Sequence, residues 1–87
     1  MTEKKIGEIE HFFTNVSVAA VKMTDGELKV GDRIHIIGAH TDFEQEVKSM
    51  EIDREPVEKV ETGDEVGIKV KDRVRENDHV YKIIPEE

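Results

Sequence analysis

Leu28-Lys29-Val30-Gly31-Asp32-Arg33-Ile34 is the first of three copies of a seven-residue pattern, and this pattern decides the fold. Each copy has an apolar residue, two variable residues, Gly or Asn, then Asp, one variable residue and a second apolar residue. The other copies are Val60-Glu61-Thr62-Gly63-Asp64-Glu65-Val66 and Val74-Arg75-Glu76-Asn77-Asp78-His79-Val80. The pattern is typical of a chain that turns tightly just before it enters a strand.

The physical reason for the pattern is local. A tight turn into a strand needs one residue with positive φ, a conformation that Gly adopts freely and Asn tolerates. The carboxylate of the Asp that follows can accept hydrogen bonds from nearby backbone N–H groups. The apolar residues on either side anchor both ends of the turn in a core. Three such strand starts in a short chain predict a small all-β barrel or sandwich.

The apolar residues elsewhere predict six strands and almost no helix, because no stretch sustains a period of 3.6 residues. An antiparallel barrel of six strands removes exposed sheet edges, so we expect a small closed barrel. Gly7 and a break in alternation beside it predict a bulge in the first strand. The predicted strands span residues 6–13, 16–23, 34–37, 45–52, 66–70 and 80–84, with a loop at 39–43. Residues 1–5 are expected to be frayed, 6–84 to form a single domain, and 85–87 to be a tail.

The composition narrows the class of protein. The chain of 87 residues has a net charge of −8, 39% charged residues and no cysteine, which excludes disulfides and thiol chemistry. It has no apolar run of about 18 residues that would cross a membrane, and residues 1–7 are too polar for a signal peptide, so we expect a cytoplasmic protein. Abundant Glu and Lys with few side-chain amides resemble a thermophile's composition. The acidity disfavours general nucleic-acid binding.

Four segments carry a resemblance to known families. Ile6-Gly7-Glu8-Ile9, the stretch from Gly26 to Ile36, and Gly63-Asp64-Glu65-Val66-Gly67-Ile68 resemble the second, β-barrel domain of elongation factor Tu. Initiation factor 2 and the selenocysteine-specific factor share that domain. Thr41-Asp42-Phe43-Glu44-Gln45-Glu46-Val47-Lys48-Ser49-Met50 resembles stand-alone translation elongation factor-like proteins and also the C-terminal barrel of collagenase-like peptidases, some of which act in RNA modification.

This resemblance implies a non-enzymatic binding module that acts in translation and contacts transfer RNA, the ribosome or a translation factor. The sequence has no phosphate loop of the form G-x-x-x-x-G-K-[ST] and no Asn-Lys-x-Asp segment, so we expect no bound nucleotide and no other cofactor. The alternative is a protein-interaction module that serves as an accessory domain to a collagenase-like peptidase or an RNA-modifying partner.

A basic run is the candidate nucleic-acid site. Its side chains recur at every second residue and would share one face of an extended segment, where they could follow a phosphate backbone. These residues are Lys69, Lys71, Arg73 and Arg75. The alternative is a solvated face whose cations pair with acidic neighbours. The candidate acidic partners are Glu58, Glu61, Asp72 and Glu76.

Phe12 and Phe13 are the candidate protein-docking residues. Adjacent residues in a regular strand point to opposite faces, so one of the two rings is expected at the surface or at a bulge. An exposed aromatic ring is a common anchor for a protein partner. The four histidines lack the spacing of a metal site, and neither Ser17 nor Ser49 lies in a nucleophile motif, so we expect no metal and no catalysis.

Overall fold

The computed structural model describes residues 2–85. Within this range the chain forms ten β-strands without a helix, and every strand pair is antiparallel. The strands are β1 (Thr2–Phe13), β2 (Val18–Met23), β3 (Glu27–Lys29), β4 (Arg33–Gly38), β5 (Thr41–Glu46), β6 (Met50–Ile52), β7 (Glu55–Val57), β8 (Lys59–Glu61), β9 (Glu65–Lys69) and β10 (His79–Ile84). The predicted all-β class is confirmed.

Eight strands form one sheet in the order β5-β4-β10-β1-β2-β9-β6-β7, and β3 pairs with β8 in a second sheet. The six strands of five or more residues are neighbours in that order, from β5 to β9. They are the walls expected of a six-stranded antiparallel barrel. The other four strands have three residues each and extend or cover these walls.

One side chain joins the two ends of this six-strand series. The amide nitrogen of Gln45, on β5, donates to the carbonyl oxygen of Lys69 at 2.8 Å. The backbone N–H of Lys71 donates to the amide oxygen of Gln45, also at 2.8 Å. The side-chain amide thus offers the donor and the acceptor that a neighbouring strand's backbone would supply. Because β5 and β9 are the first and sixth strands in the order, these bonds link the two ends of the six-strand series, as a closed barrel requires.

The core is built from aliphatic residues that alternate along the strands. Val66 and Ile68 face inward on β9, as predicted, and Val70 continues their series. On β2 the inward residues are Ala19, Val21 and Met23. The remaining buried aliphatic residues are Ile6, Ile9, Leu28, Ile34, Ile36, Val47, Met50, Val60, Val74, Val80 and Ile83.

The three predicted turns are present, and each has its residue with positive φ. The φ angles are 100° at Gly31, 97° at Gly63 and 72° at Asn77. In every copy the Asp that follows makes two bonds to the residue three positions before it. Its carboxylate accepts from that residue's N–H, and its own N–H donates to that residue's carbonyl oxygen.

The distances in these three turns are nearly the same. The carboxylate bonds of Asp32, Asp64 and Asp78 measure 2.9, 2.9 and 2.8 Å. The backbone bonds from the same residues measure 3.0, 3.0 and 3.1 Å. One local geometry therefore starts β4, β9 and β10, which are three of the six main strands.

Several strand boundaries differ from the prediction. Residues 2–5, expected to be frayed, belong to β1 and pair with β10, and the tail at 85–87 lies outside the described residues except for Pro85. The loop expected at 39–43 is a turn of Ala39 and His40, because Thr41 already begins β5. The strand expected at 45–52 is interrupted at 47–49, where Val47 exchanges backbone bonds with the Gly31 turn instead of a neighbouring strand.

Two further details concern the first two strands. The bulge predicted near Gly7 is confirmed, since the register with β10 shifts between Lys5 and Gly7, and a second shift against β2 lies between Ile9 and His11. Val16, predicted to begin the second strand, lies instead in the turn before β2 and is 48% exposed.

Replacing either turn glycine with Val should destabilise the fold through the backbone alone. A Cβ added at Gly31 or Gly63 would meet no atom within 4 Å, so the cost comes from positive φ, about 1–3 kcal/mol for a β-branched residue. Asn77→Gly should be neutral or mildly stabilising. Denaturant melts of the three variants measure the effect. Negligible changes for both Val variants would contradict this account of the turns.

Candidate binding sites

The predicted basic stripe is divided by the fold. β9 ends at Lys69 and the chain bends at Lys71, so the four cations do not share one extended strand. Lys69 and Lys71 line a groove of about 510 Å³ together with Arg33 and Lys48. The other two predicted cations line a different groove, of about 310 Å³, beside His11, Phe12 and Glu76; they are Arg73 and Arg75. The premise of a single extended stripe is wrong, and nucleic-acid binding stays a prediction.

The contacts of these cations are not ion pairs. The Lys69 ammonium donates to the carbonyl oxygen of Val16 at 2.7 Å. The Lys71 ammonium lies 5.9 Å from the centre of the Phe43 ring, within reach of a cation–π interaction. Among residues 2–85, no acidic side chain comes within 4.0 Å of any of the four cations. The alternative ladder with Glu58, Glu61, Asp72 and Glu76 is therefore not formed.

The two adjacent phenylalanines differ in exposure, as their positions in the strand predict. Phe12 is half-buried and packs against the core. Phe13 is 46% exposed and meets the His11 ring edge to face, with ring centres 4.5 Å apart. Of the two docking candidates, Phe13 is the one whose ring the fold exposes to solvent.

Phe13 also borders an apolar groove that the sequence analysis did not identify. The groove has a volume of about 700 Å³ and crosses the outer face of β2, β9 and β6. Outward positions on this face carry Val18 and Ala20 of β2 and Gly67 of β9, and the exposed Val16 lies at one end. The sequence did indicate an apolar outer surface here, because β2 has apolar residues on both of its faces.

The rim of this groove is acidic. Four carboxylates line it together with one guanidinium, that of Arg54; they are Glu10, Glu51, Asp53 and Glu65. Within the described part of the chain, none of the four lies within 4.0 Å of a cationic group. Loss of solvent contact raises the pKa of Glu10, its hydrogen bond with Glu65 and the repulsion between the two carboxylates raise it further, and the charge of Lys22 opposes the change. Negative charge is therefore concentrated beside an apolar floor.

A second cluster on the opposite part of the sheet is built around His35. Its Nδ1 lies 2.8 Å from a carboxylate oxygen of Glu3, and its Nε2 lies 2.5 Å from one of Asp42. Ionised carboxylates only accept hydrogen bonds, so this arrangement favours the imidazolium form, in which both ring nitrogens carry hydrogen. The hydrogen bond to Asp42 raises the pKa of His35 most, and Glu3 raises it further against the opposing effect of burial. The cluster ties β1 to β4 and β5.

Across residues 2–85, no three His, Asp or Glu side chains converge in a way that could hold a metal ion. The same residues contain no helix long and apolar enough to span a membrane.

Comparison with known proteins identifies the family. The sequence model of elongation factor Tu domain 2 matches residues 17–80, and the chain belongs to this family. The C-terminal domain of a Geobacillus thermoleovorans protein assigned as a U32 peptidase has the same fold. Its TM-score is 0.83 at 16% identity, with 91% of each chain covered.

The curated relatives are peptidases by name. The chain is 44% identical over 78 residues to an uncharacterized protease of Methanocaldococcus jannaschii and 33% identical over 78 residues to a collagenase of Porphyromonas gingivalis. The match covers 88% of this chain but only 19% and 22% of those proteins, so the chain spans about a fifth of their length. The predicted barrel family is confirmed, whereas the resemblance to a stand-alone translation factor is not supported by these relatives.

The division of the basic residues makes a prediction about RNA. Each phosphate contact contributes about 0.7 to 0.9 to the slope of log affinity against log salt, so four contacts on one stripe would give roughly −3 to −4. Because the cations line two grooves, we expect a slope for transfer RNA no steeper than about −2, measured by fluorescence anisotropy. A slope near −4 that both Lys69→Gln/Lys71→Gln and Arg73→Gln/Arg75→Gln reduce would restore the single stripe.

The His35 cluster makes a prediction about pH. The folded pKa of His35 is raised above its ordinary value of 6.5, so its contribution to stability is full below that value and is lost as the pH rises through the folded pKa. The free energy of unfolding of the wild type minus that of His35→Gln should be largest near about pH 6 and decline toward about pH 9. Urea melts measure it, with the exposed His40→Gln as control. A difference that is constant over this range would contradict the imidazolium assignment.

Proposed function

We propose that this barrel is a protein-interaction domain that serves as an accessory part of a collagenase-like peptidase. The 44% identity to a named protease, over 88% of this chain, is the observation that carries the proposal. The second relative, named as a collagenase, supports the same reading at 33% identity. The barrel corresponds to about a fifth of each relative's length, so the proposal gives it one accessory role beside a peptidase partner that carries the larger activity.

The chemistry of the chain favours binding over catalysis. The sequence has no cysteine, and its two serines lie outside nucleophile motifs. The surface of the described residues instead presents an apolar groove with an exposed aromatic ring, which suits contact with a protein. We assign to the barrel the positioning of a partner or substrate and leave bond cleavage to another domain.

A role in translation has weaker support. It rests on the barrel family, and a fold is compatible with many functions. The net charge of −8 opposes association with RNA, and the two pairs of cations line separate grooves. A role in translation is therefore the alternative that the affinity capture experiment must distinguish from the peptidase assignment.

Affinity capture separates the two functions. The tagged chain, added to extract of the cells that produce it, should recover a collagenase-like peptidase in stoichiometric amount, and treatment with ribonuclease should not reduce that recovery. Mass spectrometry identifies the partner. Recovery of ribosomal proteins or a translation factor that disappears after ribonuclease treatment would favour the translation module and overturn the peptidase assignment.

A further inference from the structure

The outer face of β2, β9 and β6 is unusual for this chain. A small barrel normally directs polar side chains outward, and 39% of this sequence is charged. Yet the outward position of Ala20 pairs with Gly67, which pairs in turn with Glu51, so two of the three cross-strand neighbours bring no polar side chain. Val18 adds a third apolar outward residue on the same face. The face has an apolar floor, and at Gly67 the neighbouring side chains stand close on either side: a Cβ there would lie 3.2 Å from Val18 Cγ1 and 3.3 Å from Glu51 Cγ.

Larger apolar side chains border one end of this floor. Phe13 and Val16 are 46% and 48% exposed, and they are two of the four large hydrophobic residues that the described surface exposes. Both lie at or beside the turn between β1 and β2, at one end of the groove. The Lys69 ammonium bonds the carbonyl oxygen of Val16 and holds that turn against β9. An extended peptide fits along a floor of this kind, with one of its ends against these two side chains.

The charge of the rim specifies the occupant. The four rim carboxylates and Arg54 give the groove a net charge of −3, and the carboxylates have no cation within 4.0 Å among residues 2–85. Elsewhere on the surface, carboxylates such as Asp25, Glu27 and Glu44 have cationic partners. Loss of solvent contact is the main cause of the raised pKa of Glu10, and the neighbouring Glu65 carboxylate raises it further while the charge of Lys22 opposes the change. Charge complementarity therefore calls for a basic partner.

We propose that this groove is the docking site for an extended segment of the peptidase partner, one that places a Lys or Arg side chain beside an apolar side chain. The apolar residue lies on Val18, Ala20 and Gly67, and the cation lies at the rim. This inference rests on the proposed function for the identity of the partner. The requirement for an apolar side chain and a neighbouring cation is argued from the groove alone.

A defined peptide tests the recognition chemistry. The probe is acetyl-Gly-Lys-Leu-Gly-Arg-Val-Gly-amide, titrated into isotopically labelled protein and followed by amide shifts. Shifts are expected at Val18, Ala20, Gly67 and their neighbours, and a peptide with Glu in place of Lys and Arg should produce none. Absence of shifts at millimolar peptide, or shifts confined to other faces, would overturn the inference.

Two pairs of variants then locate the interaction. Val16→Asp should weaken the probe about tenfold, whereas Val30→Asp, at a valine 41% exposed outside the groove, should leave it within about twofold. Glu10→Gln/Glu65→Gln should weaken it by about three- to tenfold and reduce its dependence on salt. The matched control is Glu46→Gln/Glu58→Gln, which removes two carboxylates that do not line the groove. Equal effects of a variant and its control would contradict the assignment.

The same variants separate this inference from the proposed function. Loss of the peptidase from the capture experiment with Val16→Asp, but not with Val30→Asp, supports both. Recovery of the peptidase by wild type and Val16→Asp alike keeps the proposed function and overturns the groove. If the probe binds but the groove captures gelatin and no peptidase, the occupant is a substrate, and the assignment to a segment of the peptidase is wrong.

Discussion

The fold depends on one small interaction made three times, in which an Asp binds both backbone groups of the residue three positions before it. Asp32, Asp64 and Asp78 make it with closely matching distances. Each instance satisfies the N–H and the C=O of the residue three positions before the Asp, and each directs the chain into a main strand. A chain with few local contacts gains three defined starting points in this way, because the geometry is complete within four residues. The longer-range pairing of the sheet then follows from where the apolar residues lie.

The Gln45 amide supplies hydrogen bonds where the first and last of the six main strands meet. Two strands that do not run side by side leave backbone N–H and C=O groups without partners in the sheet. Bonds to Lys69 and Lys71 replace the missing ladder at this seam. A Glu at the same position would lack the donor for the Lys69 carbonyl, so the choice of amide over acid is explained in a chain otherwise rich in Glu.

The sequence alone was sufficient to predict the features that depend on interactions between neighbouring residues. The turns at Gly31, Gly63 and Asn77, the alternation on β9 and the exposure of one phenylalanine all follow from neighbouring residues. It was insufficient where the sheet order brings distant residues together. His35 meets Glu3, 32 residues away, only because β10 lies between β4 and β1.

The candidate site was predictable only in part for the same reason. Phe13 was named as a docking residue, but the groove beside it depends on the pairing of Ala20 with Gly67 and of Gly67 with Glu51. The prediction of a single basic stripe assumed that the alternation of a strand continues past Lys69. The strand ends at Lys69, so this assumption is wrong. A period of two residues shows which side chains share a face only within the strand itself, and not beyond its end.

The hairpin between β6 and β7 carries a consequence for protein engineering. Its two turn residues, Asp53 and Arg54, both have positive φ, at 51° and 67°, where Asn-Gly is the pair that such turns favour. The chain keeps two charged residues there at an energetic cost of order 1 kcal/mol each. A designer who installed Asn-Gly would obtain a sturdier scaffold and remove one negative and one positive charge from the lining of the groove, which leaves its net charge unchanged. The hairpin can therefore be strengthened without altering the charge balance of the groove.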